Sequence, residues 1–227
     1  CNQCEIKILK LYSIMEYKVI SEDRYDDVIQ HLRNSFFADE PLNRAAGLCL
    51  HGEGNRDLEE HSYLTLKDNL SMMAVSEYDE IAGVILNGVL HPGDIERSKK
   101  KLDLCPDENF KKIFNLLYDQ NLKVDFFSCF NVEKIFDIRI LSVDPKFRGQ
   151  GIAKELVRKS TNLSKECGFE LLKADATGVY SQKILKSLGF ETFSELIYDE
   201  YTDESGEPIL PVEPPHTKLQ LLYKALI

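Results

Sequence analysis

Apolar positions change their spacing along the chain, and each change marks an element. Tyr17 to Ile20 is a short β-prone run closed by Ser21-Glu22-Asp23. Val28, Ile29, Leu32 and Phe36 then share one helical face, with Asp26 and Asp27 in the first turn, and predict a helix to about Phe37. A second helical pattern covers Glu59 to Leu70. Ser71 to Ser76 and Ile81 to Val89 read as strands joined by the hairpin-length Glu77-Tyr78-Asp79-Glu80, and Gly83 and Gly88 predict a bulge or close packing. Ile95 to Asn121 is helical in two pieces broken near Leu104-Cys105-Pro106-Asp107, its run Ser98-Lys99-Lys100-Lys101 forming a solvated face. Lys123 to Phe130 fits a strand or a helix. Ile135 to Val143 has the content and length of a buried strand, and Asp144-Pro145 ends it because proline gives no N–H to a ladder. A helix carrying Leu156, Val157 and Leu163 follows, then a strand over Glu170 to Ala176 and a short helix over Tyr180 to Leu188 closed by Gly189. Phe190 to Tyr198 is a strand, 199–207 an acidic loop or hairpin, and Leu219 to Leu226 the last strand. No repeat or low-complexity linker intervenes. The pattern predicts one α/β domain over 15–227 with a mixed, largely antiparallel sheet.

Composition narrows the function classes. Of 227 residues, 43% are hydrophobic and 29% charged, as in ordinary globular proteins. No apolar run approaches the ~20 residues of a membrane-spanning helix. A net charge of −10 argues against nucleic acid and weakly suits cationic small substrates. Cys49, Cys105, Cys129 and Cys167 have neither disulfide nor zinc rhythm, which predicts reduced thiols, a cytoplasmic location and no metal. Cys1 and Cys4 form a lone C-x-x-C with no second pair, and receive no role. The first methionine is Met15, so residues 1–14 are read as a non-native or disordered upstream extension.

Two places carry chemistry. After the strand at 135–143 comes Arg148-Gly149-Gln150-Gly151-Ile152-Ala153, where small residues permit close backbone approach and a helix begins. Free N–H groups and the positive end of a helix dipole there favour an anion. It is not a P-loop, since no Lys-Ser or Lys-Thr follows Gly151, and Lys154 breaks a dinucleotide fingerprint. The second place is Glu40, a carboxylate pre-oriented by Pro41, which biases it out of the helical region. Taken alone, such a residue is ordinarily a solvated one.

The R-x-x-G-x-A run from Arg148 to Ala153 resembles the pyrophosphate-binding motif of the Gcn5-related N-acetyltransferase superfamily, and the element order from about Glu16 onward resembles its fold. Three runs are similar to the insect arylalkylamine N-acetyltransferases: Phe37-Ala38-Asp39-Glu40-Pro41-Leu42-Asn43, Val143-Asp144-Pro145 and Pro214-Pro215-His216-Thr217. The resemblance implies helices on both faces of the sheet, acetyl-CoA as co-substrate, a small amine as acceptor, and a monomer. It implies Glu40 as general base, with Pro41 and His216 lining the amine pocket. It implies backbone N–H groups around Leu141, Ser142 and Val143 for the oxyanion, and Arg148 with Gly149 to Ala153 for the pyrophosphate. Where many members carry a tyrosine acid, this chain has Leu185; the insect enzymes have serines, matched here by Ser181 and by Thr177. A protein N-terminus or lysine as acceptor, or a non-catalytic CoA-binding module, are the other readings.

Overall fold

The structure, a computed structural model, describes residues 15–226, so the expectations for residues 1–14, with Cys1 and Cys4, fall outside it. Seven strands form one sheet: β1 (Glu16–Val19), β2 (Met72–Val75), β3 (Ile81–Leu90), β4 (Ile135–Val143), β5 (Leu171–Ala176), β6 (Glu191–Ile197) and β7 (Lys218–Ala225). Their order is β1-β2-β3-β4-β5-β7-β6, antiparallel throughout except for β4 against β5. The helices are α1 (Tyr25–Ser35), α2 (Pro41–Ala46), α3 (Arg56–Leu66), α4 (Asp94–Leu102), α5 (Glu108–Leu122), α6 (Phe126–Phe130), α7 (Ile152–Glu166) and α8 (Val179–Ser187).

Strand alternation builds two cores. Met73 and Val75 face a layer with Leu32, Leu58 and Ile113 from α1, α3 and α5. Met72 and Ala74 face the opposite layer with Leu156, Val157 and Leu185 from α7 and α8. The mixed, mostly antiparallel sheet with helices on both faces is therefore as predicted. The loop at 199–207 folds back as a hairpin, with Thr202 bridged to Pro208. Among the described residues no helix is long and apolar enough to cross a membrane, and the four cysteines are free thiols.

Three local readings change. The ambiguous 123–130 stretch contains helix α6, started by the Asp125 carboxylate on the Ser128 amide and ended by Asn131 in the left-handed region. Helix α3 begins before Glu59, because Asn55 caps the amides of Asp57 and Leu58. The turn after α1 does not simply close that helix. Pro41 opens a new one, α2, at the first-turn position where its missing N–H costs nothing, and Glu40 is the residue that caps it.

Two irregularities position the site. The β3–β4 register slips between Leu86/Ile140 and Asn87/Ile138, so Arg139 is an extra residue and both Arg139 and Ile140 turn to the α1/α3 side. Gly88 accommodates this, since a Cβ there would lie 2.5 Å from the Arg139 guanidinium carbon. The parallel β4–β5 ladder has only three pairs, Phe136, Asp137 and Ile138 against Leu172, Lys173 and Ala174. Beyond them the two strands part, and a cleft opens.

Candidate active site

The cleft holds two adjoining cavities, of about 770 and 280 Å³. Both have Phe36, Glu40, Arg139, Ile140 and Thr177 in their walls, so Glu40 stands where they meet. The larger runs past the end of β4 to the start of α7 and to α8. The smaller runs under α3 and α5, with Phe114, Leu117 and Tyr118 among its walls.

Glu40 has extended backbone and caps α2, its Oε2 accepting the Asn43 amide at 2.7 Å. Its Oε1 is inaccessible to solvent, with the Thr177 hydroxyl nearby but not aligned to donate to it. Burial pushes its pKa above the ordinary glutamate value, against the Thr177 hydroxyl and the amides of Asn43 and Leu42. Phe36 and Phe37, packed edge to face at 6.4 Å, lie just before it in the chain, and Phe36 walls both cavities. A raised pKa with one free oxygen suits a group that must accept a proton near neutral pH.

On the larger cavity's side, Gly149 and Gly151 take φ of 77° and 82°, and a Cβ on either would meet nothing within 4 Å. Gly151 is the residue before α7, whose first amides are free of internal partners. The exposed Arg148 donates from Nε to the Val143 carbonyl at 3.1 Å, and its guanidinium lies 3.6 Å from Asp39. Leu141, Val143, Ile152 and Ala153 line this cavity, whereas Gln150 and Gly151 sit exposed at its rim. Ser142 also borders it, but its hydroxyl faces away, 3.0 Å from His31 Nε2. Burial pushes His31 down to about 4, which keeps that ring neutral.

Thr177 and Ser181 occupy the bend between β5 and α8. The Ser181 hydroxyl donates to the Gly178 carbonyl at 2.9 Å, and the Thr177 carbonyl accepts from the Tyr198 phenol at 2.7 Å. His216 closes the group. Its Nδ1 accepts the Val179 amide at 3.1 Å, capping α8, and its ring meets Tyr180 edge to face at 5.8 Å. A Cβ on Gly178 would stand 3.4 Å from both His216 and Pro41, so Pro41 and His216 share one wall. Burial, with Arg44 second, holds His216 below the ordinary histidine pKa, which preserves the lone pair the cap needs.

The structure thus gathers Glu40, Pro41, Thr177, Ser181, His216 and the 141–153 stretch around one cleft. Sequence reading missed Tyr198, a buried phenol pushed far up by burial and by Glu40, and the charged side chains Asp137, Arg139, Lys173 and Asp175. A signal for the latter existed: same-face charges in the otherwise apolar runs IFDIRI and LLKADA.

The mixed sheet splays beside a glycine-bearing helix start, and the comparisons identify this architecture as that of an acyltransferase. A model of the acetyltransferase (GNAT) family matches residues 25–190, and the chain belongs to that family. It is similar to arylalkylamine N-acetyltransferase 2 from Aedes aegypti, at 54% identity and a TM-score of 0.92, over 94% of this chain and 99% of that one. Mosquito arylalkylamine N-acetyltransferase like 5b (24% identity, TM-score 0.85) and Drosophila melanogaster polyamine N-acetyltransferase (21%, 0.84) share the fold. Each matches 94% of this chain and all of its own.

Proposed function

We propose that this acetyltransferase moves the acetyl group of acetyl-CoA to the primary amine of a small arylalkylamine or related biogenic amine by direct attack, with Glu40 as general base. The observation that carries this reading is the Glu40 carboxylate, buried at the junction of two cavities with one oxygen unpartnered. The 54% identity to a mosquito arylalkylamine N-acetyltransferase supports the acceptor class.

The residues at the α7 start fit a pyrophosphate. Arg148 is exposed, and the space over Gly149 and Gly151 is clear of protein, so phosphate oxygens can reach the amides of 149–153. When bound, acetyl-CoA supplies an activated thioester. Everything else falls to the chain. An alkylamine with a lysine-like pKa of ~10.4 is almost wholly protonated at neutral pH, so Glu40 first takes the ammonium proton and frees the nitrogen lone pair for attack. Backbone N–H groups of Leu141 to Val143, at the parted end of β4, face the charge that develops on the carbonyl oxygen. As the C–N bond forms and the C–S bond breaks, Ser181, or Thr177 beside Glu40, would pass a proton to the departing sulfur and regain one from the second N–H that the nitrogen loses. In this structure Ser181 spends its proton on Gly178, so the hydroxyl must rotate to do this.

The test is release of free thiol from acetyl-CoA with a panel of arylalkylamines, aliphatic amines and peptides. Turnover with amines supports the reading. Turnover only with peptides moves the acceptor to a protein, and CoA binding without turnover leaves a binding module.

A further inference from the structure

The acetyl-transfer reading leaves four charged side chains of the smaller cavity unused: Asp137 and Arg139 of β4, Lys173 and Asp175 of β5. Asp137 and Lys173 are opposite each other in the middle of the three-pair ladder, one pair before the strands part. Asp175 and Thr177 follow Lys173 on the same face, about 7 and 13 Å further along an extended chain. Arg139 and Asp175 border both cavities, and the smaller one runs on from Glu40 and Thr177 past them to a floor at Asp137 and Lys173, between aromatic and aliphatic walls.

That floor is balanced. Lys173 Nζ lies 2.7 Å from Asp175 and 3.4 Å from Asp137, and Arg139 Nε lies 3.1 Å from Asp137. Arg139 also holds the Thr65 hydroxyl and the Val89 carbonyl, and Asn121 donates to Asp175 Oδ2 at 2.7 Å. Two anions and two cations sum to zero. Burial pushes Asp175 up, and its protonation would only make the sum positive. Glu40, at the cavity's other end, is taken up by the reacting amine, and the remaining titratable groups facing the cavity supply no free anion. Burial and then Arg139 push His61 down to about 4, so it is neutral; burial leaves Tyr118 neutral; Asp94 is committed to Arg97 and the His91 amide. Lone pairs do remain, because each oxygen of Asp137 and Asp175 accepts one bond here and has room for another.

We infer that Asp137, Arg139, Lys173 and Asp175 set acceptor specificity, admitting a monoamine whose neutral ring carries hydroxyl donors and rejecting amines with a second cation. The inference rests on the arylalkylamine reading above and chooses within it. A ring hydroxyl reaching the floor gives a hydrogen bond to a carboxylate without adding charge. The second cation of a diamine or of a guanidino amine finds no unpaired anion there and sheds its water without compensation.

The test compares kcat/KM for tyramine, phenethylamine, agmatine and putrescine with the intact enzyme. Tyramine should exceed phenethylamine about tenfold, the scale of one charge-assisted hydrogen bond, and exceed agmatine and putrescine by on the order of 10² or more. Arg139→Gln, which leaves one unpaired anion, should raise the agmatine-to-tyramine ratio about tenfold. The wild-type comparison decides the matter even if that variant does not fold. Equal rates for phenethylamine and tyramine, or agmatine within about threefold of tyramine, overturn the inference while the transfer reading stands. Silence with every amine overturns the transfer reading and the selectivity with it.

Discussion

At the scale of single residues, the site is governed by what burial does to charge. Glu40 is a helix cap whose carboxylate is held largely out of water, so its proton affinity rises and it becomes a base suited to neutral pH. Glu40→Gln keeps the shape and removes the basicity. It should lower kcat/KM by on the order of 10²–10⁴, with acetyl-CoA affinity by calorimetry unchanged and the acidic limb of the pH–rate profile flattened. The same substitution has a stability consequence of known sign. A carboxyl whose folded pKa is raised weakens the fold once pH exceeds its unfolded value of ~4.3. The glutamine variant should therefore melt higher than wild type at neutral pH, the gap closing toward pH ~4. Wild-type rates in the variant from pH ~6 to pH ~9 would remove Glu40 from its role. The sequence disclosed Glu40 through its neighbours Asp39 and Pro41 but not through its environment. Nothing local shows that Thr177, 137 residues away, stands beside it, or that Tyr198 lies buried close by.

At the scale of elements, two helix starts do the positioning. Helix α7 begins after two glycines in the left-handed region, and its free amides face open space. Gly151→Val should place a branched side chain in the space proposed for the phosphates and add about 1–2 kcal/mol of backbone strain. Arg148→Ala should weaken CoA binding by about 1.5–3 kcal/mol. The loss should not be masked by the Asp39 pair, which is exposed and contributes ~0–1 kcal/mol. Calorimetric titration reads both; unchanged affinity in the two variants would move the cofactor elsewhere. Helix α8 has no side-chain cap of its own, and His216 supplies one from 37 residues away. His216→Ala should cost about 1 kcal/mol of stability in urea unfolding, the usual worth of a cap. Because burial keeps the folded His216 pKa low, its contribution is present at neutral pH and fades as pH falls through the unfolded value of ~6.5. The α7 turn was legible because its chemistry is contiguous. The α8 cap was not, because it joins two segments only after the sheet is assembled.

At the scale of the whole molecule, the sheet consists of an antiparallel block β1–β4 and a second block β5–β7–β6, joined by three parallel pairs. Periodicity predicted the strands, and the family resemblance predicted their two-sided covering by helices. The splay and its charged vertex were hidden, because Asp137 and Lys173 become neighbours only when β4 and β5 align. That vertex is where a single substitution should be felt globally. Burial opposes the Lys173 charge, but Asp137 and Asp175 outweigh it and hold its pKa above the ordinary lysine value. Burial opposes the Asp137 charge, but Lys173 and Arg139 outweigh it and hold its pKa low, so its share of stability is present above ~3.9 and is lost as pH falls through its folded value. Lys173→Met keeps the bulk and strands two buried carboxylates beside a single remaining cation, Arg139. Breaking a buried pair this way costs about 3–5 kcal/mol, against a typical domain stability of 5–15. Urea unfolding at constant m should read that deficit at pH 7. At about pH 4 the deficit should shrink, because carboxylates that have lost their partner take up protons more readily in the fold than in the unfolded chain. A deficit below about 1 kcal/mol, or one that does not change between the two pH values, would mean that water screens the cluster as at a surface.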